Sequence, residues 1–256
     1  MEIDAAKVGR MEIRVRNKPA YLLANENGNW ILESPFRERM TPGQTNQIIN
    51  SLNVLTADDI VDNVTDPKAY GMDNPEQWLK LVLTDGQTIV LKANKVDNHY
   101  FVSCSLRPMS VFMMDTTTEV DWRYDPDSQL DKRLVVYEQS QVQSVKHQRQ
   151  GGSEQELKGD ALNTIWVSFS QLNATGFQYT KPGQPATAES FKSLQPLYRY
   201  TGVFTTPNTQ SLVLSVYPGS GAEYNVTSSE RPFVFKVNKS DIDTLNQKVA
   251  ETLKGK

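Results

Sequence analysis

The sequence predicts an α+β protein of two tandem similar units, each an antiparallel β-sheet with a helix packed on one face. Short runs rich in Leu, Val and Ile, separated by turn dipeptides, predict antiparallel hairpins. Each half also contains a stretch whose apolar residues recur on one helical face. Elements of the two halves follow in a similar order, which is typical of a duplicated unit. The predicted units are residues 1–124 and 134–256, with a linker at residues 125–133.

The N-terminal region predicts a three-stranded meander. Apolar and charged residues alternate over residues 8–16, which indicates an amphipathic strand. A return strand at residues 20–24 and a third strand at residues 30–32 are joined by a turn at Asn27-Gly28. These short connections make neighbouring strands antiparallel.

A helix is predicted to follow the meander. Thr41 is its expected N-cap, Pro42 occupies the first helical position, and Gln44 completes a capping box. The apolar face of this helix carries Ile48, Ile49, Leu52 and Leu55. Residues 57–64 then predict another strand.

The hairpin around Asp85-Gly86 is the strongest local signal, because this dipeptide favours a two-residue type I′ turn. Such a turn sets Val82 opposite Ile89 and Leu81 opposite Val90. Both faces of the hairpin would then be largely apolar, and strands of that kind lie in the middle of a sheet.

The remaining elements follow the same rules. After the hairpin we expect strands at residues 99–104 and 109–114 and a short helix at residues 116–122. Helices are expected after the caps Asp160 and Ser240. The second half predicts strands at residues 134–137, 142–148, 203–206, 212–217, 224–226 and 233–237, with an extended segment at 177–179.

Three pairs of segments relate the halves. Residues 48–60 correspond to residues 165–177, residues 100–102 to residues 224–226, and residues 111–114 to residues 234–237. Coincidence between two sheet-and-helix segments is the alternative explanation. The preserved order favours an internal repeat.

Composition narrows the function. The chain has 256 residues, a net charge of −3 and a pI near 5.5, which argues against a nucleic-acid partner. Cys104 is the single cysteine, so an intramolecular disulfide is impossible, and its apolar neighbours predict a buried thiol. No run has the length of a transmembrane helix. We predict no catalytic, cofactor-binding or metal-binding residues and no cofactor.

The titratable residues do not form a recognisable site in sequence. His99 and His147 lack partners at metal-ligand spacing and are predicted at the surface. The acidic clusters are Asp58, Asp59 and Asp62, and Asp121, Asp125, Asp127 and Asp131. The second cluster could bind calcium but lacks the glycine and terminal glutamate of an EF-hand loop, so a solvated linker is favoured. Trp122 and Tyr124 are expected to anchor that linker, with sugar stacking as the alternative.

Tyr70, Asp73 and Pro75 form the most suggestive trio. They could make a recognition loop or a rigid entry into the hairpin. Gly71 permits an unusual φ and Pro75 prevents helix formation, so the structural interpretation is favoured.

Five short segments follow one another in a characteristic order in the first half. They are Trp30-Ile-Leu-Glu-Ser-Pro35, Leu55-Thr-Ala57, Tyr70-Gly-Met-Asp73-Asn-Pro75, Asp85-Gly86 and Tyr100-Phe-Val102. Over residues 8–115 this pattern resembles the domain of unknown function 4340 family of bacterial proteins. The resemblance implies an envelope protein with one N-terminal membrane anchor, which would precede this chain, followed by a soluble periplasmic or extracytoplasmic domain. It also implies an association with ABC-transporter auxiliary components, and it implies no catalytic residues.

We therefore expect a non-enzymatic domain that binds or scaffolds a protein partner in the cell envelope, with a cytoplasmic location as the alternative. A second hypothesis is a hydrolase or carbohydrate-acting enzyme that uses clustered carboxylates. A third is an architectural spacer. A pocket with two or more carboxylates would favour the enzyme, whereas an exposed apolar patch or a groove between the units would favour binding.

Overall fold

A computed structural model describes residues 3–97, 99–114, 126–181, 183–206 and 209–254. The chain separates into two compact units, Met1–Asp131 and Lys132–Lys256. Each unit contains a large antiparallel sheet and at least one helix, so the fold class is α+β. The boundary between the units falls inside the segment 125–133 that the sequence predicts as a linker. The helix predicted at residues 116–122 lies outside the described residues.

The first unit has a nine-stranded antiparallel sheet in the order β4-β3-β2-β1-β6-β7-β8-β9-β5. Its strands are β1 (Val8–Val15), β2 (Tyr21–Glu26), β3 (Asn29–Ser34), β4 (Glu38–Arg39), β5 (Asp59–Asp62), β6 (Gln77–Leu83), β7 (Thr88–Val96), β8 (His99–Cys104) and β9 (Arg107–Met114). Helix α1 (Gln44–Asn53) lies between β4 and β5 in sequence, and the short helix α2 (Pro126–Gln129) ends near the boundary. The predicted meander is confirmed, and the predicted hairpin occupies the middle of the sheet.

The register of hairpin β6–β7 differs from the prediction by one residue. Ile89 pairs with Leu81 rather than with Val82, and Leu79 pairs with Leu91. Because side chains alternate between faces, this shift places the paired residues Leu79, Leu81, Ile89 and Leu91 on one face, where they are buried. The opposite face is more polar than the predicted register implies.

The shift results from a three-residue loop. The Leu83 N–H donates to the Gln87 carbonyl at 2.8 Å, which closes the strands one position earlier than a two-residue turn would. The Asp85 carboxylate accepts from the Gln87 N–H at 2.8 Å, and Gly86 has a φ of 88°. A turn followed by a left-handed glycine is the usual three-residue hairpin connection.

The start of α1 also differs from the prediction. Gly43, in the left-handed region at φ 81°, is the N-cap, and no side chain caps the helix. The Thr41 hydroxyl instead donates to the Leu130 carbonyl at 3.0 Å. Leu130 is buried and pairs with Met40, so the end of the predicted linker packs on the first unit.

The second unit has a seven-stranded antiparallel sheet in the order β11-β10-β15-β16-β17-β18-β12 and a two-stranded sheet β13-β14. The strands are β10 (Val142–Arg149), β11 (Gln155–Leu157), β12 (Gly176–Phe177), β13 (Tyr179–Lys181), β14 (Gln184–Pro185), β15 (Tyr198–Phe204), β16 (Leu212–Tyr217), β17 (Glu223–Ser228) and β18 (Arg231–Asn238). The helices are α3 (Asp160–Ser170) and α4 (Lys239–Lys254), which pack against each other.

Three predictions for the second unit are corrected. Residues 134–137 do not form a strand of the sheet. Instead, the Leu134 N–H donates to the Leu172 carbonyl in the chain after α3. Gly159, at φ 57°, is the N-cap of α3, so Asp160 is its first helical residue. Helix α4 already begins at Lys239, which places Ser240 inside the helix. In the described ranges, no helix has both the length and the apolarity needed to cross a bilayer.

Candidate functional site

An apolar groove lies on one face of the first sheet, beside the C-terminal end of α1. Its volume is about 460 Å³, which is in the range of small-ligand sites. The residues that line this apolar groove are Leu52, Leu55, Ala57, Leu91, Val102, Cys104, Leu106, Arg107, Phe112 and Met114. They come from α1 and the residues after it, from β7 and from the hairpin β8–β9.

Strand pairing brings these side chains to the same face. Leu91 pairs with Cys104, and Val102 pairs with Phe112. Directly paired residues of antiparallel strands point to the same side of a sheet. The thiol of Cys104 is therefore part of the groove wall, and the residue is 8% exposed, in agreement with the predicted burial.

Arg107 stands at the edge of the apolar groove. Its guanidinium lies 5.6 Å from the centroid of the Phe112 ring and 3.3 Å from the carboxylate of Asp62. The Ser110 hydroxyl donates to the same carboxylate at 2.5 Å. Both charged residues of the pair are exposed, so the ion pair contributes little stability. Its main effect is to hold a multivalent hydrogen-bond donor next to apolar surface.

Large apolar side chains around the groove remain exposed. Leu106, one of the lining residues, is 46% exposed. Ile60, directly opposite Phe112 in the ladder, is exposed as well. Exposed apolar side chains next to an apolar groove are typical of an interaction surface.

The backbone after α1 also borders the groove. Within the described ranges, no group donates to the Leu55 carbonyl, and none accepts from the Ala57 N–H. Backbone polar groups at an apolar surface are usually paired in folded proteins. This segment can therefore pair with another backbone.

In the second unit, a backbone segment pairs with the residues that follow α3. Residues 132–136 run along the chain that follows α3. The Leu134 N–H donates to the Leu172 carbonyl at 3.0 Å, and the Ala174 N–H donates to the Lys132 carbonyl at 2.7 Å. Leu134 and Val135 are buried. We refer to residues 132–136 as the plug segment.

An arginine completes the contact between the plug segment and its unit. The Arg231 guanidinium donates to the Arg133 carbonyl at 3.2 Å and lies 4.1 Å from the centroid of the Phe235 ring. Arg231 pairs with Ser228 at the end of hairpin β17–β18, just as Arg107 pairs with Cys104 at the end of β8–β9. Phe235 is buried, whereas Phe112 is half-buried.

The Tyr70-Gly71 segment acts as an entry into β6. Gly71 has a φ of 71°, and a Cβ atom there would lie 2.0 Å from the Asn94 side-chain nitrogen. The side-chain amide oxygen of Asn94 accepts hydrogen bonds from the Arg16 guanidinium at 2.8 Å and from the Glu76 N–H at 3.1 Å. The Tyr70 ring packs at 5.2 Å from another aromatic ring of the sheet. These contacts support the structural interpretation of this segment.

The two histidines occupy different environments. His99 is exposed, as predicted, but His147 is buried, which corrects the prediction of a surface residue. Its Nε2 lies 3.2 Å from the Asn246 side-chain oxygen, which also accepts from the Tyr200 hydroxyl at 2.6 Å. Burial lowers the pKa of His147, the Asn246 hydrogen bond opposes this shift, and nearby Arg149 adds to it. Burial also raises the pKa of Tyr200.

The carboxylates with described side chains do not converge on the groove. Asp62 touches its edge through Arg107, and the exposed Asp58 follows Ala57. Asp121 and Asp125 lie outside the described residues, as do Trp122 and Tyr124, and Asp131 is buried. Among the residues with described side chains, no three His, Cys, Asp or Glu groups are close enough to hold a metal ion.

Sequence reasoning missed the groove. The predicted strands at residues 99–104 and 109–114 leave Leu106 and Arg107 in the connection between them, and a register with Leu81 opposite Val90 places Leu91 opposite Lys80. The available signal was Leu106 itself, because a large apolar residue in a tight turn is unusual. A shallow groove assembled from three separate segments has no local sequence pattern.

Comparison with known proteins gives one match. Residues 1–75 match the family model described as "Domain of unknown function (DUF4340)". The match contains the Trp30–Pro35 segment and ends at Pro75, so it covers less of the chain than the resemblance over residues 8–115. No curated protein and no solved structure matches the chain. The match supports the resemblance to the domain of unknown function 4340 family over the first 75 residues.

Proposed function

We propose that this chain is the soluble domain of a bacterial envelope protein and that it binds a protein partner through the apolar groove. The observation that carries this proposal is an apolar groove bordered by exposed apolar side chains and by backbone groups able to pair. The lining contains one cation and no carboxylate. A binding surface fits this chemistry better than a hydrolytic site, which would need convergent carboxylates. The envelope setting and an ABC-transporter-associated assembly follow from the family resemblance alone.

The proposal includes an origin for the two units, which we infer to be copies of one sheet-plus-helix unit. The series β1-β6-β7-β8-β9-β5 and β10-β15-β16-β17-β18-β12 have the same order relative to sequence. In both series the helix precedes the last edge strand in sequence. In both units the strand that follows the first one in sequence pairs with it, β2 with β1 and β11 with β10.

Bulges support this inference, because they are irregular and unlikely to coincide by chance. The pairing of β1 with β6 shifts between Val8 and Arg10, and that of β10 with β15 shifts between Val142 and Ser144. The pairing register of hairpin β8–β9 shifts between Ser103 and Cys104, and that of hairpin β17–β18 shifts between Thr227 and Ser228. The arginine that follows each hairpin bulge lies over a phenylalanine ring.

Site-specific crosslinking tests the binding function. A photo-crosslinking amino acid at position 106 would be combined with membranes of the bacterium that carries the gene, and adducts would be identified by mass spectrometry. Leu55→Asp puts a carboxylate into the groove wall, whereas Val54→Asp puts the same charge on the adjacent, exposed residue. We expect one dominant protein adduct that Leu55→Asp removes and Val54→Asp retains.

Two results would contradict the proposal. One is a crosslinking pattern that is the same for wild type and Leu55→Asp. The other is recovery of a small metabolite alone. A crosslinker at position 194, at an exposed leucine of the second unit, controls for non-specific capture.

A further inference from the structure

The apolar groove has the geometry of a site for an extended peptide. Resting on the proposed binding function, we propose that the partner inserts an extended apolar segment antiparallel to residues 55–57, in the way that the plug segment lies against residues 172–174. The occupant is a stretch of a partner protein with leucine or valine at its centre and a basic residue before it.

First, the residues that line the apolar groove have counterparts at the same ladder positions of the second sheet. Leu91 pairs with Leu79 and Cys104, and Leu214 pairs with Tyr200 and Ser228 at the same position of its ladder. Val102, Phe112 and Met114 correspond in the same way to Val226, Phe235 and Val237. All four residues of the second set are buried, and in the first set Leu91, Val102 and Met114 are buried whereas Phe112 is half-buried. The first set lines the apolar groove.

The second step concerns the backbone. The plug segment bonds to its unit through the Leu172 carbonyl and the Ala174 N–H, with Arg133 bridged to Asn173. The residues after α1 present the Leu55 carbonyl and the Ala57 N–H in the same spacing. A second strand would satisfy both groups, because antiparallel pairing exchanges N–H and C=O at alternate residues.

The third step concerns Arg107. Its counterpart Arg231 donates to a plug carbonyl while lying over Phe235. Arg107 lies over Phe112 and is placed to donate to a peptide carbonyl in the same way. A hydrogen bond from a charged donor is stronger than one between neutral groups, so Arg107 should contribute to affinity.

Charge at the rim selects the flanks of the peptide. The exposed carboxylates of Asp58 and Asp59 directly follow the pairing segment. The plug segment itself begins Lys-Arg-Leu-Val-Val. A partner segment that begins with basic residues and continues with apolar ones would complement this rim, and its binding should weaken as salt increases.

The chain supplies its own probe. A synthetic peptide with the sequence of residues 131–138 carries the plug segment, and the same peptide with Leu134→Asp is its matched control. Occupancy is read from the rate at which a maleimide alkylates Cys104, the single cysteine, which lies in the groove wall. Affinity is measured by fluorescence anisotropy of the labelled peptide with the full chain.

We expect the peptide to slow alkylation at least five-fold at saturation, and the Leu134→Asp peptide to have no effect. Leu55→Asp should weaken binding of the first peptide at least ten-fold, whereas Val54→Asp should change it less than two-fold. Arg107→Met should weaken binding about ten-fold, because it removes the charged donor and keeps an apolar side chain. Unchanged thermal unfolding of each variant verifies that the fold is intact.

Other outcomes overturn the inference. Failure to bind up to about 1 mM peptide would do so. Protection of Cys104 by dodecanoate but not by the peptide would also overturn it and would indicate a lipid-like ligand. Equal affinity of the peptide for wild type and Leu55→Asp would overturn it as well. If crosslinking at position 106 still depends on Leu55, the proposed function stands and only the extended-peptide class of partner is wrong.

Discussion

In the second unit, the plug segment pairs with the chain after α3 and accepts a hydrogen bond from Arg231 at the end of hairpin β17–β18, and both Leu134 and Phe235 are buried. In the first unit, the surface between α1 and hairpin β8–β9 lines a groove of about 460 Å³, and Phe112 is half-buried. Strand order and bulge positions correspond closely. Among the described residues, the two units therefore differ in the segment that pairs with the chain after the helix, which is present in the second unit only.

The largest contrast should appear at the phenylalanines. Phe235→Ala should destabilise the second unit by about 3–5 kcal/mol, because it leaves a cavity in a filled site. Phe112→Ala should cost the first unit about 1–2 kcal/mol, because solvent already reaches its groove. Urea unfolding followed by intrinsic fluorescence would measure both, with the transition of each unit fitted separately. Equal losses at the two positions would remove the distinction between a filled and an open site.

The plug segment itself gives the next effect. Leu134→Ala should destabilise the second unit by about 2–4 kcal/mol, because the side chain is buried. Urea unfolding should show this change in one transition and leave the transition of the first unit in place. A loss below about 0.5 kcal/mol would mean that the segment rests on the surface without supporting it.

The polar network under α4 should contribute less. Asn246→Ala leaves the buried Tyr200 hydroxyl and His147 without their shared acceptor, so we expect a loss of about 1–3 kcal/mol. The positions that correspond to Tyr200 and His147 in the first ladder are Leu79 and Ile13. Calorimetry of the double variant His147→Ile and Tyr200→Phe should show a smaller loss for Asn246→Ala. An equal loss in that background would indicate a role unrelated to these bonds.

The smallest expected effect is a pH dependence confined to the second unit. Burial lowers the folded pKa of His147 below its usual 6.5, so the unfolded chain binds the proton first as pH falls. The stabilising contribution is complete above pH 6.5 and declines below it. The free energy of unfolding should therefore decrease from pH 7.5 to pH 5.5 in wild type, and it should decrease less in His147→Ile. A slope of the same size in both proteins would assign the effect to other groups.

Local signals predicted much of this architecture. Alternating apolar and polar residues and turn dipeptides predicted the meander, the central hairpin and the strands β15 to β18. These signals depend only on residues that are neighbours in sequence. The segment pairs 48–60 with 165–177 and 111–114 with 234–237 fall at corresponding positions of the two ladders. Errors occurred where alternatives differ by little energy, such as a two-residue or a three-residue loop at Asp85, or a cap at Thr41 or Gly43.

What the sequence determined by itself was the order and type of most elements and the similarity of residues 1–75 to a known family model, because periodicity, turn chemistry and short motifs are local. Only the tertiary structure decided that His147 is buried, that residues 134–137 pair with the chain after α3 instead of joining the sheet, and that the described residues of the first unit form an apolar groove beside α1. Those outcomes depend on which distant segments compete for the same apolar surface, and that competition has no local pattern.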